Sequence, residues 1–491
     1  MTDKPSSLAT LRRAKIVATL GPATDDVAVL TQMLQAGVDV VRLNASHGTA
    51  ADRRRRLEMV HEAGRRADRC VGTLMDLAGP KIRIEGFREG RVMLIEGAPF
   101  TIDTELDPKA GTVSAVGVAY KDLLRDVSAG DTLLLNDGQI VLDVVRVGGT
   151  TVDTRVRVGG ELSDRKGLNR KGGGISAPAI SERDREDLRF AAAEDIDYVA
   201  VSFVRSAADM LEARSLLRAA GGDARLVSKI ERHEAIDNLS GIIEASDVVM
   251  VARGDLGVEM GYAELTGLQK TIIHQSRIRN KVVITATQMM ESMIHNPVPT
   301  RAEVSDVANA VMDGTDAVML SAETATGRYP IRAVAAMAEV IEGAEKYEFS
   351  HNRTRHRSPE GEYKGTEEAI AMAVMHTANH MKVRAIVALT ESGATPLWMS
   401  RIRADLPVYA FTRHEATRRR VTLYRGVYPV IFDATGGADN ATPAALYRAL
   451  FTRLLELQLV RMDDLVIITK GELSGVQGGT NSMQILKVTL D

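Results

Sequence analysis

The chain has 491 residues, of which 45% are apolar and 26% charged, a composition typical of a globular protein of about three domains. Its 62 Lys and Arg residues and 65 Asp and Glu residues give a formal net charge of -3, so no general basic field recruits nucleic acid or an anionic membrane. The single cysteine, Cys70, excludes an internal disulfide and any multi-cysteine metal site, which favours the reducing cytoplasm. We expect neither a secretory signal nor a membrane-spanning helix, because no apolar run approaches the ~20 residues that such a helix needs.

Short β-branched segments alternate with longer amphipathic segments along most of the chain, which predicts alternating strands and helices. The predicted strands are 15–20, 38–43, 71–77, 197–203, 225–230, 247–252, 281–287 and 316–321. The predicted helices are 28–36, 52–66, 181–194, 206–219, 234–245, 262–279, 301–313 and 330–346. Every strand except the third is followed directly by a helix, which is the order of a (β/α)₈ TIM barrel.

The segment between the third strand and the next helix has a different pattern. Over residues 80–178, short alternating polar and apolar runs lie between glycine-rich turns, which predicts an antiparallel β-rich lid domain. This insertion divides the barrel into residues 1–79 and 179–347, and it leaves from the face where barrel active sites lie. The polar, basic residues 348–365 predict a linker, and alternating apolar runs and helices over 366–491 predict a C-terminal α/β domain.

Polar side chains cluster at the predicted C-terminal ends of the barrel strands, where barrel enzymes carry their catalytic groups. They are Arg42, Asn44, Ser46 and His47 after strand 2, Asp76 after strand 3, Lys229 and Glu231 after strand 5, Asp255 after strand 6, and Thr285 and Thr287 after strand 7. Residues two apart on a strand face the same way, so Lys229 and Glu231 should project together. Glu231 and Asp255 would suit Mg²⁺, which keeps its other positions for water and substrate oxygens. Lys229 and Arg42 beside that metal would form a cationic pocket for a transferring phosphoryl group or an enolate.

Each of these features also has a less specific explanation. A lone Lys-x-Glu at a strand end is more often a surface ion pair, and the run Arg53–Arg56 is typical of a solvated helix face. The convergence of groups from five strands on one rim favours an active site. The turn formed by residues 254–257 offers backbone N–H groups to a carboxylate. Because the chain contains neither G-x-x-x-x-G-K-[ST] nor G-x-G-x-x-G, a bound nucleotide would have to be held in another way.

Seven longer segments then point to a family. They are RLNASHG (42–48), MDLAGPKIR (75–83), SKIERHEA (228–235), MVARGDLGVE (250–259), ITATQMMESM (284–293), PTRAEVSDVANAV (299–311) and MLSAETATGRYP (319–330). In this order they resemble pyruvate kinase over essentially the whole chain. The resemblance implies a Mg²⁺-dependent phosphotransferase, with Mn²⁺ as an alternative metal, that acts on phosphoenolpyruvate and ADP in the last step of glycolysis.

The resemblance also implies roles for the rim residues. Lys229 would stabilise the charge of the transferring phosphoryl group and of the enolate. Glu231 and Asp255 would ligate Mg²⁺, and Arg42 would hold the phosphate of phosphoenolpyruvate.

Two further groups of residues match positions that contact the substrates. Thr287, with Gly254 and Asp255, would bind the substrate carboxylate, and Thr287 would lie near the route by which the enolate is protonated. Arg83 and Lys166 match positions that contact the nucleotide phosphates, the second from the lid.

The monovalent-cation site of the family shows the first departure. Asn44, Ser46, Asp76 and the carbonyl of residue 77 match that site, but potassium-dependent members carry Thr and Glu where this chain has Leu77 and Lys81. The ammonium of Lys81 would replace K⁺, a pattern that resembles the K⁺-independent branch. We therefore expect little or no requirement for K⁺.

The second departure lies in the C-terminal domain. Thr390, Ser392, Gly393 and Thr395 match the family's effector phosphate loop, but Ala394 stands where many relatives have Arg. Losing this bidentate phosphate donor should weaken or redirect effector binding. The domain resembles the class that responds to AMP and sugar monophosphates more than the class that uses fructose 1,6-bisphosphate. The family is usually a homotetramer, which we also expect here.

Two rival functions remain open at this point. A Mg²⁺-dependent barrel lyase or mutase acting through a 2-oxo acid enolate shares the same Lys, Glu and Asp but needs no ADP. A catalytically silent sugar-phosphate sensor would use the barrel only as a scaffold, and the intact set of rim residues argues against it.

Overall fold

The structure is a computed structural model that describes residues 11–351, 363, 365–402, 406–433, 442–471 and 479–490. The barrel begins with β1 (Lys15–Thr19), α1 (Val27–Ala36), β2 (Val40–Asn44), α2 (Ala50–Ala67) and β3 (Gly72–Asp76). The lid follows with β4 (Arg91–Leu94), β5 (Pro99–Asp103), β6 (Ala115–Gly117), α3 (Leu123–Asp126), β7 (Thr132–Leu135), β8 (Ile140–Gly148), β9 (Thr151–Val158), β10 (Gly160–Ser163) and β11 (Leu168–Arg170).

The barrel then resumes and closes. Its second part comprises α4 (Glu182–Ala193), β12 (Tyr198–Val201), α5 (Ala207–Ala219), β13 (Arg225–Ile230), α6 (His233–Asp237), α7 (Leu239–Ala245), β14 (Val248–Ala252), α8 (Arg253–Met260), α9 (Tyr262–Ile278), β15 (Val282–Ala286), α10 (Arg301–Asp313), β16 (Ala317–Leu320), α11 (Ala322–Ala325) and α12 (Pro330–His351). Eight parallel strands close in the order β1-β16-β15-β14-β13-β12-β3-β2, which confirms the predicted barrel. Short 3₁₀ turns lie at Pro22–Thr24, Glu291–Ile294 and Val421–Leu423.

The C-terminal domain is built on one five-stranded sheet. Its elements are α13 (Thr366–His380), β17 (Ala385–Leu389), α14 (Ala394–Arg401), β18 (Val408–Thr412), α15 (Glu415–Arg420), β19 (Val427–Ile431), α16 (Pro443–Glu456), β20 (Leu465–Gly471) and β21 (Thr480–Lys487). The strand order is β19-β18-β17-β20-β21, with only β21 antiparallel to its neighbour. This arrangement confirms the predicted α/β class.

Alternate residues of the barrel strands enter two different cores, as the two faces of a strand require. On β1, Ile16 and Ala18 pack outward under the helices, whereas Val17 packs inward. The inward core continues into the C-terminal domain through residues such as Val421 and Tyr424. The N-terminal end of the barrel is thereby closed by the C-terminal domain, and the opposite end carries the lid.

The lid contains a six-stranded sheet, β11-β7-β8-β9-β5-β6, and the pair β10-β4. Its pairings are antiparallel as predicted, except that β5 and β6 run parallel. The lid has its own core around Phe100, Ile102 and Leu142, so it is a separately packed module. It also contacts the barrel, where Asn169 Nδ2 donates to Glu259 Oε1 at 3.4 Å.

Several predicted boundaries are corrected. The helix predicted over 234–245 is divided into α6 and α7, and α8 forms where the sequence analysis expected a turn. Helix α12 continues to His351, so residues 348–351 of the predicted linker are helical, and most of its remainder lies outside the described residues. A capping box begins α10: the Thr300 side chain accepts from Glu303 N, and the Glu303 carboxylate accepts from Thr300 N. None of the described helices is long and apolar enough to cross a membrane.

Candidate active site

Lys229 lies at the centre of a buried hydrogen-bond network on the C-terminal rim of the barrel. Its Nζ lies 2.7 Å from a Glu231 carboxylate oxygen and 3.3 Å from Asp76 Oδ1. It also donates to Ser202 Oγ at 2.8 Å. Burial alone would lower the pKa of this ammonium, but Asp76 and Glu231 raise it above its usual value. Lys229 is therefore a permanent positive charge with a fixed position.

Asp76 joins a second cation to this network. Arg42 donates from Nε to Asp76 Oδ2 at 2.8 Å, and from Nη1 to Thr19 Oγ1 at 3.0 Å. Burial would raise the pKa of Asp76, but Lys229 and Arg42 lower it below its usual value. One carboxylate thus holds two cations side by side, which leaves their remaining N–H groups for an anionic substrate.

Glu231 and Asp255 supply oxygen ligands of the kind that a divalent cation prefers. Glu231 is 2% exposed and accepts from Phe203 N at 2.8 Å. Burial raises the pKa of Glu231, and the negative charges of Asp255 and Asp76 add to this effect against the opposing charge of Lys229. A divalent cation at the two carboxylates would relieve their repulsion, so these residues fit the metal expected at this rim.

The metal would take only part of its coordination from side chains. Among the described residues no group of three or more His, Cys, Asp or Glu is arranged to hold a metal ion. Substrate and water oxygens would therefore complete the coordination. Six charged residues of the rim pair with one another: Arg42, Asp76, Lys81, Lys229, Glu231 and Asp255. The formal charges of these six cancel, so a divalent ion would give this group the positive charge needed to bind a small polyanion.

Lys81 forms an ion pair with one of the two predicted metal ligands. Its Nζ is 3.0 Å from Asp255 Oδ1 and 3.8 Å from Asp137 Oδ1. Among the described residues, Asp255 has no other cation within ion-pair distance.

The predicted cation-site groups make contacts with one another and with a residue that the sequence analysis missed. Asn44 Oδ1 accepts from Ser46 N at 3.0 Å, and the carbonyl oxygen of Leu77 accepts from Ser202 Oγ at 2.8 Å. Ser202 follows β12 and also bonds Lys229, so it links this group to the rim network. Its position directly after a barrel strand is the sequence signal that could have identified it.

Thr287 follows β15 with a backbone φ of 68°, which is unusual for a β-branched residue. Its Oγ1 accepts from Gly254 N at 2.8 Å, and Arg253 Nη2 donates to its carbonyl oxygen at 2.8 Å. Gly254 and Asp255 lie in the first turn of α8, so their environment is a helix N-terminus. Strained backbone held by several contacts is typical of functional sites. Thr285, in contrast, is buried and bonds Thr315 Oγ1, so it does not belong to the rim.

The structure places Arg83 and Lys166 on adjoining segments of the lid. Arg83 forms an isolated β-bridge with Gly167, and Ile84 N donates to the carbonyl oxygen of Lys166 at 3.0 Å. A Cβ added at Gly167 would lie 3.1 Å from Cε of Lys81, so this pair of segments borders Lys81 and Asp255. The two predicted nucleotide contacts therefore belong to one edge of the lid.

The predicted effector loop connects β17 to α14. Gly393 N donates to Thr390 Oγ1 at 2.9 Å, and Ala394 N lies 3.4 Å from Ser392 Oγ. Thr395 Oγ1 lies 2.7 Å from Thr480 Oγ1 and is buried. The hydroxyls of this loop thus bond protein groups in the present structure.

Comparison with known proteins gives consistent results along the chain. The family profile described as "Pyruvate kinase, barrel domain" matches residues 11–334, and the profile described as "Pyruvate kinase, alpha/beta domain" matches residues 368–486.

Individual relatives agree in sequence and in structure. The chain is 51% identical to Pyruvate kinase II of Salmonella typhimurium, over 97% of this chain and 99% of that protein. It is 50% identical to Pyruvate kinase of Haemophilus influenzae, over 94% of this chain and 96% of that protein. A crystal structure of a pyruvate kinase from Cryptosporidium parvum matches with a TM-score of 0.89 and 31% identity, covering 97% of this chain and 96% of that one.

Proposed function

The chain belongs to the pyruvate kinase family, and we propose that the six charged residues of its barrel rim perform the family's reaction, phosphoryl transfer from phosphoenolpyruvate to ADP. One observation carries this proposal: the buried Lys229 is fixed between two carboxylates, with Arg42 held beside it by the same Asp76. Two cations fixed side by side on the rim suit a reaction that moves negative charge from one oxygen to another.

The chemistry requires positioning and charge neutralisation rather than a covalent nucleophile. The bond between the enol oxygen and phosphorus breaks, a new bond forms to a terminal oxygen of ADP, and the enolate takes a proton at carbon to give pyruvate. Arg42 holds the substrate phosphate, and Lys229 donates to the oxygens on which charge accumulates. Thr287 and the N-terminus of α8 hold the carboxylate, with the Thr287 hydroxyl on the side from which the proton arrives.

Glu231 and Asp255 would hold the divalent metal ion, which we propose to be Mg²⁺ with Mn²⁺ as an alternative. When bound, the ion neutralises charge on the substrate oxygens. A metal ion at Asp255 would compete with Lys81 for this carboxylate, and release of the ion pair would free the Lys81 ammonium for the anionic substrate. We retain on this basis the proposal that Lys81 replaces K⁺.

Arg83 and Lys166, on one edge of the lid, are proposed to hold the phosphates of ADP. The chain enters and leaves the lid near residues 80 and 178, and the lid packs around its own core, so we propose that it closes as a unit over the rim. Closure would exclude water, which competes with ADP for the phosphoryl group.

We further propose control of this activity by AMP or a sugar monophosphate bound at the C-terminal domain, in a cytoplasmic homotetramer. The support is the loop of Thr390, Ser392, Gly393 and Thr395 at the start of α14. Titration with AMP, ribose 5-phosphate and glucose 6-phosphate should shift the substrate saturation curve, and an unmoved curve would end this part of the proposal.

The reaction itself is tested by measuring pyruvate from phosphoenolpyruvate with Mg²⁺, with and without ADP, and with K⁺ replaced by tetramethylammonium. We expect turnover that depends on ADP and survives the loss of K⁺. Pyruvate formed without ADP would indicate a lyase, and turnover only with K⁺ would keep the kinase but remove the proposed role of Lys81.

A further inference from the structure

Two barrel side chains bind the exit segment of the lid, residues 171–178, through which the chain returns to the barrel. Glu234 Oε1 accepts from Gly174 N at 2.7 Å, and Arg232 Nη2 donates to the carbonyl oxygen of Ile175 at 3.1 Å. Arg232 Nη2 also lies 3.1 Å from Glu234 Oε1, so one ion pair holds both an N–H and a carbonyl group of this segment. Since residues 171–178 belong to no helix or strand, these side chains help to fix their backbone.

The exit segment packs directly on the Glu234 carboxylate at one glycine. Gly173 is buried with a φ of 78°, and a Cβ added there would lie 2.7 Å from Glu234 Oε2. Gly172 has nearly the same φ, 81°, but it is exposed, and nothing lies within 4 Å of a Cβ added there. The two glycines therefore share a backbone conformation and differ in their contact with Glu234.

The exit segment is also joined to the lid edge that carries the proposed nucleotide contacts. Arg170, the last residue of β11, donates from Nη1 to the carbonyl oxygen of Gly173 at 3.0 Å. It is itself fixed by an ion pair with Asp131 at 3.0 Å. Lys166 lies just before β11 in the chain. A displacement of Gly173 from the barrel would therefore move β11 and, with it, Lys166.

The barrel side of this contact lies beside the proposed metal ligands. Arg232 and Glu234 closely follow Glu231 in the segment that joins β13 to α6. A second contact lies on α8, the helix that carries Asp255, where Glu259 Oε1 accepts from the lid residue Asn169 at the longer distance of 3.4 Å. The lid is thus attached to both segments that carry a proposed metal ligand.

We propose that Glu234 is a positioning residue for ADP, because its contact with Gly174 N holds the nucleotide-binding edge of the lid against the rim. The proposal rests on the function proposed above, in which Arg83 and Lys166 of the lid hold the phosphates of ADP. Loss of the contact lets that edge move away from the barrel. The residues proposed to hold phosphoenolpyruvate belong to the barrel, so they keep their positions. Glu234 therefore acts on one substrate and not on the other.

Steady-state kinetics with each substrate varied in turn test this role. Glu234→Ala should raise the KM for ADP by about tenfold, because a charge-assisted hydrogen bond to the lid is lost. The KM for phosphoenolpyruvate should change much less. Glu234→Gln keeps an acceptor for Gly174 N and should recover part of the affinity for ADP. In Glu234→Ala more pyruvate than ATP should form, since a displaced lid admits water to the phosphoryl group.

The two glycines provide a matched pair of variants. Gly173→Ala directs a methyl group at the Glu234 carboxylate and should raise the KM for ADP as Glu234→Ala does. Gly172→Ala imposes the same backbone strain without this contact and should leave the KM for ADP close to that of wild type. An equal rise in both glycine variants, or an equal change in the two KM values of Glu234→Ala, would overturn the proposal.

Hydrogen–deuterium exchange provides a readout that does not depend on turnover. Because Gly174 N–H is bonded to Glu234, the peptide covering residues 171–177 should exchange faster in Glu234→Ala and Gly173→Ala than in wild type or Gly172→Ala. Unchanged exchange of this peptide in Glu234→Ala, or an unchanged KM for ADP in that variant, would overturn only the role of Glu234. A wild-type protein that forms no pyruvate from phosphoenolpyruvate and ADP would overturn the proposed function itself.

Discussion

The Lys81–Asp255 ion pair makes a quantitative prediction about metal binding. The ammonium lies 3.0 Å from Asp255 Oδ1, and the two side chains are 26% and 22% exposed. Because a metal ion at Asp255 would share this carboxylate with the ammonium, we expect the ion pair to compete with the metal. A partly exposed pair contributes up to about 1 kcal/mol, so Lys81→Gln should tighten metal binding to the substrate-free protein by about fivefold.

The assay is a Mn²⁺ titration of full-length protein without substrates, followed by electron paramagnetic resonance. Lys171→Gln is the matched control, because Lys171 is an exposed lid residue whose removal changes the net charge equally. We expect a lower dissociation constant for Lys81→Gln alone. An unchanged or weaker affinity for Lys81→Gln, or the same gain in Lys171→Gln, would refute competition at Asp255.

Two further predictions concern stability. Burial raises the pKa of Glu259 to about 7, whereas in the unfolded chain this carboxyl releases its proton near pH 4.5. Deprotonation therefore costs more in the folded state, so the free energy of unfolding should fall by about 3 kcal/mol from pH 4.5 to 7. The Glu259→Gln variant lacks this carboxyl, so its melting temperature minus that of wild type should increase from pH 4.5 to 7. A difference between the two melting temperatures that stays constant with pH would contradict the raised pKa of Glu259. The Arg401 side chain is 3% exposed and donates to Asp316 Oδ2 at 2.9 Å, across the interface between the barrel and the C-terminal domain. Asp316→Ala should lower the free energy of unfolding by about 3–5 kcal/mol, because it leaves this buried guanidinium without its carboxylate. Urea unfolding followed by Trp398 fluorescence measures this loss of stability, and the double variant Asp316→Ala/Arg401→Met should recover part of it. If Asp316→Ala alone is as stable as wild type, the ion pair does not stabilise the domain interface.

The barrel was predictable because its elements are specified locally. Alternating apolar segments, the capping box at Thr300 and the regular strand spacing all act within short windows of sequence. The division of 234–245 into α6 and α7 was missed because Asn238 lies between two segments with the same apolar period. The helix α8 was missed because its glycines are typical of turns, whereas contacts with Thr287 stabilise it here.

The candidate site was predictable in composition but not in pairing. The period-2 rule on strands correctly brought Lys229 and Glu231 together, at 2.7 Å. It gave no information about Lys81, which lies in a loop after β3, and its contact with Asp255 depends on how the lid connection folds back over the rim. Ser202 and Thr19 were missed although both lie at strand ends, because their part in the site depends on contacts with Lys229 and Arg42 that the sequence pattern does not specify.

Steady-state kinetics of Lys229→Met decide whether this rim performs phosphoryl transfer. Lys270→Met, which removes an exposed lysine of α9, is the matched control. We expect kcat for pyruvate formation from phosphoenolpyruvate and ADP to fall by about 10²–10³-fold or more, since the proposed role of Lys229 is to donate to charge that develops during transfer. The KM for phosphoenolpyruvate should change much less, because Arg42 still holds the phosphate. A folded Lys229→Met protein that keeps the wild-type kcat, or loses only affinity, would contradict the assignment of phosphoryl transfer to this rim.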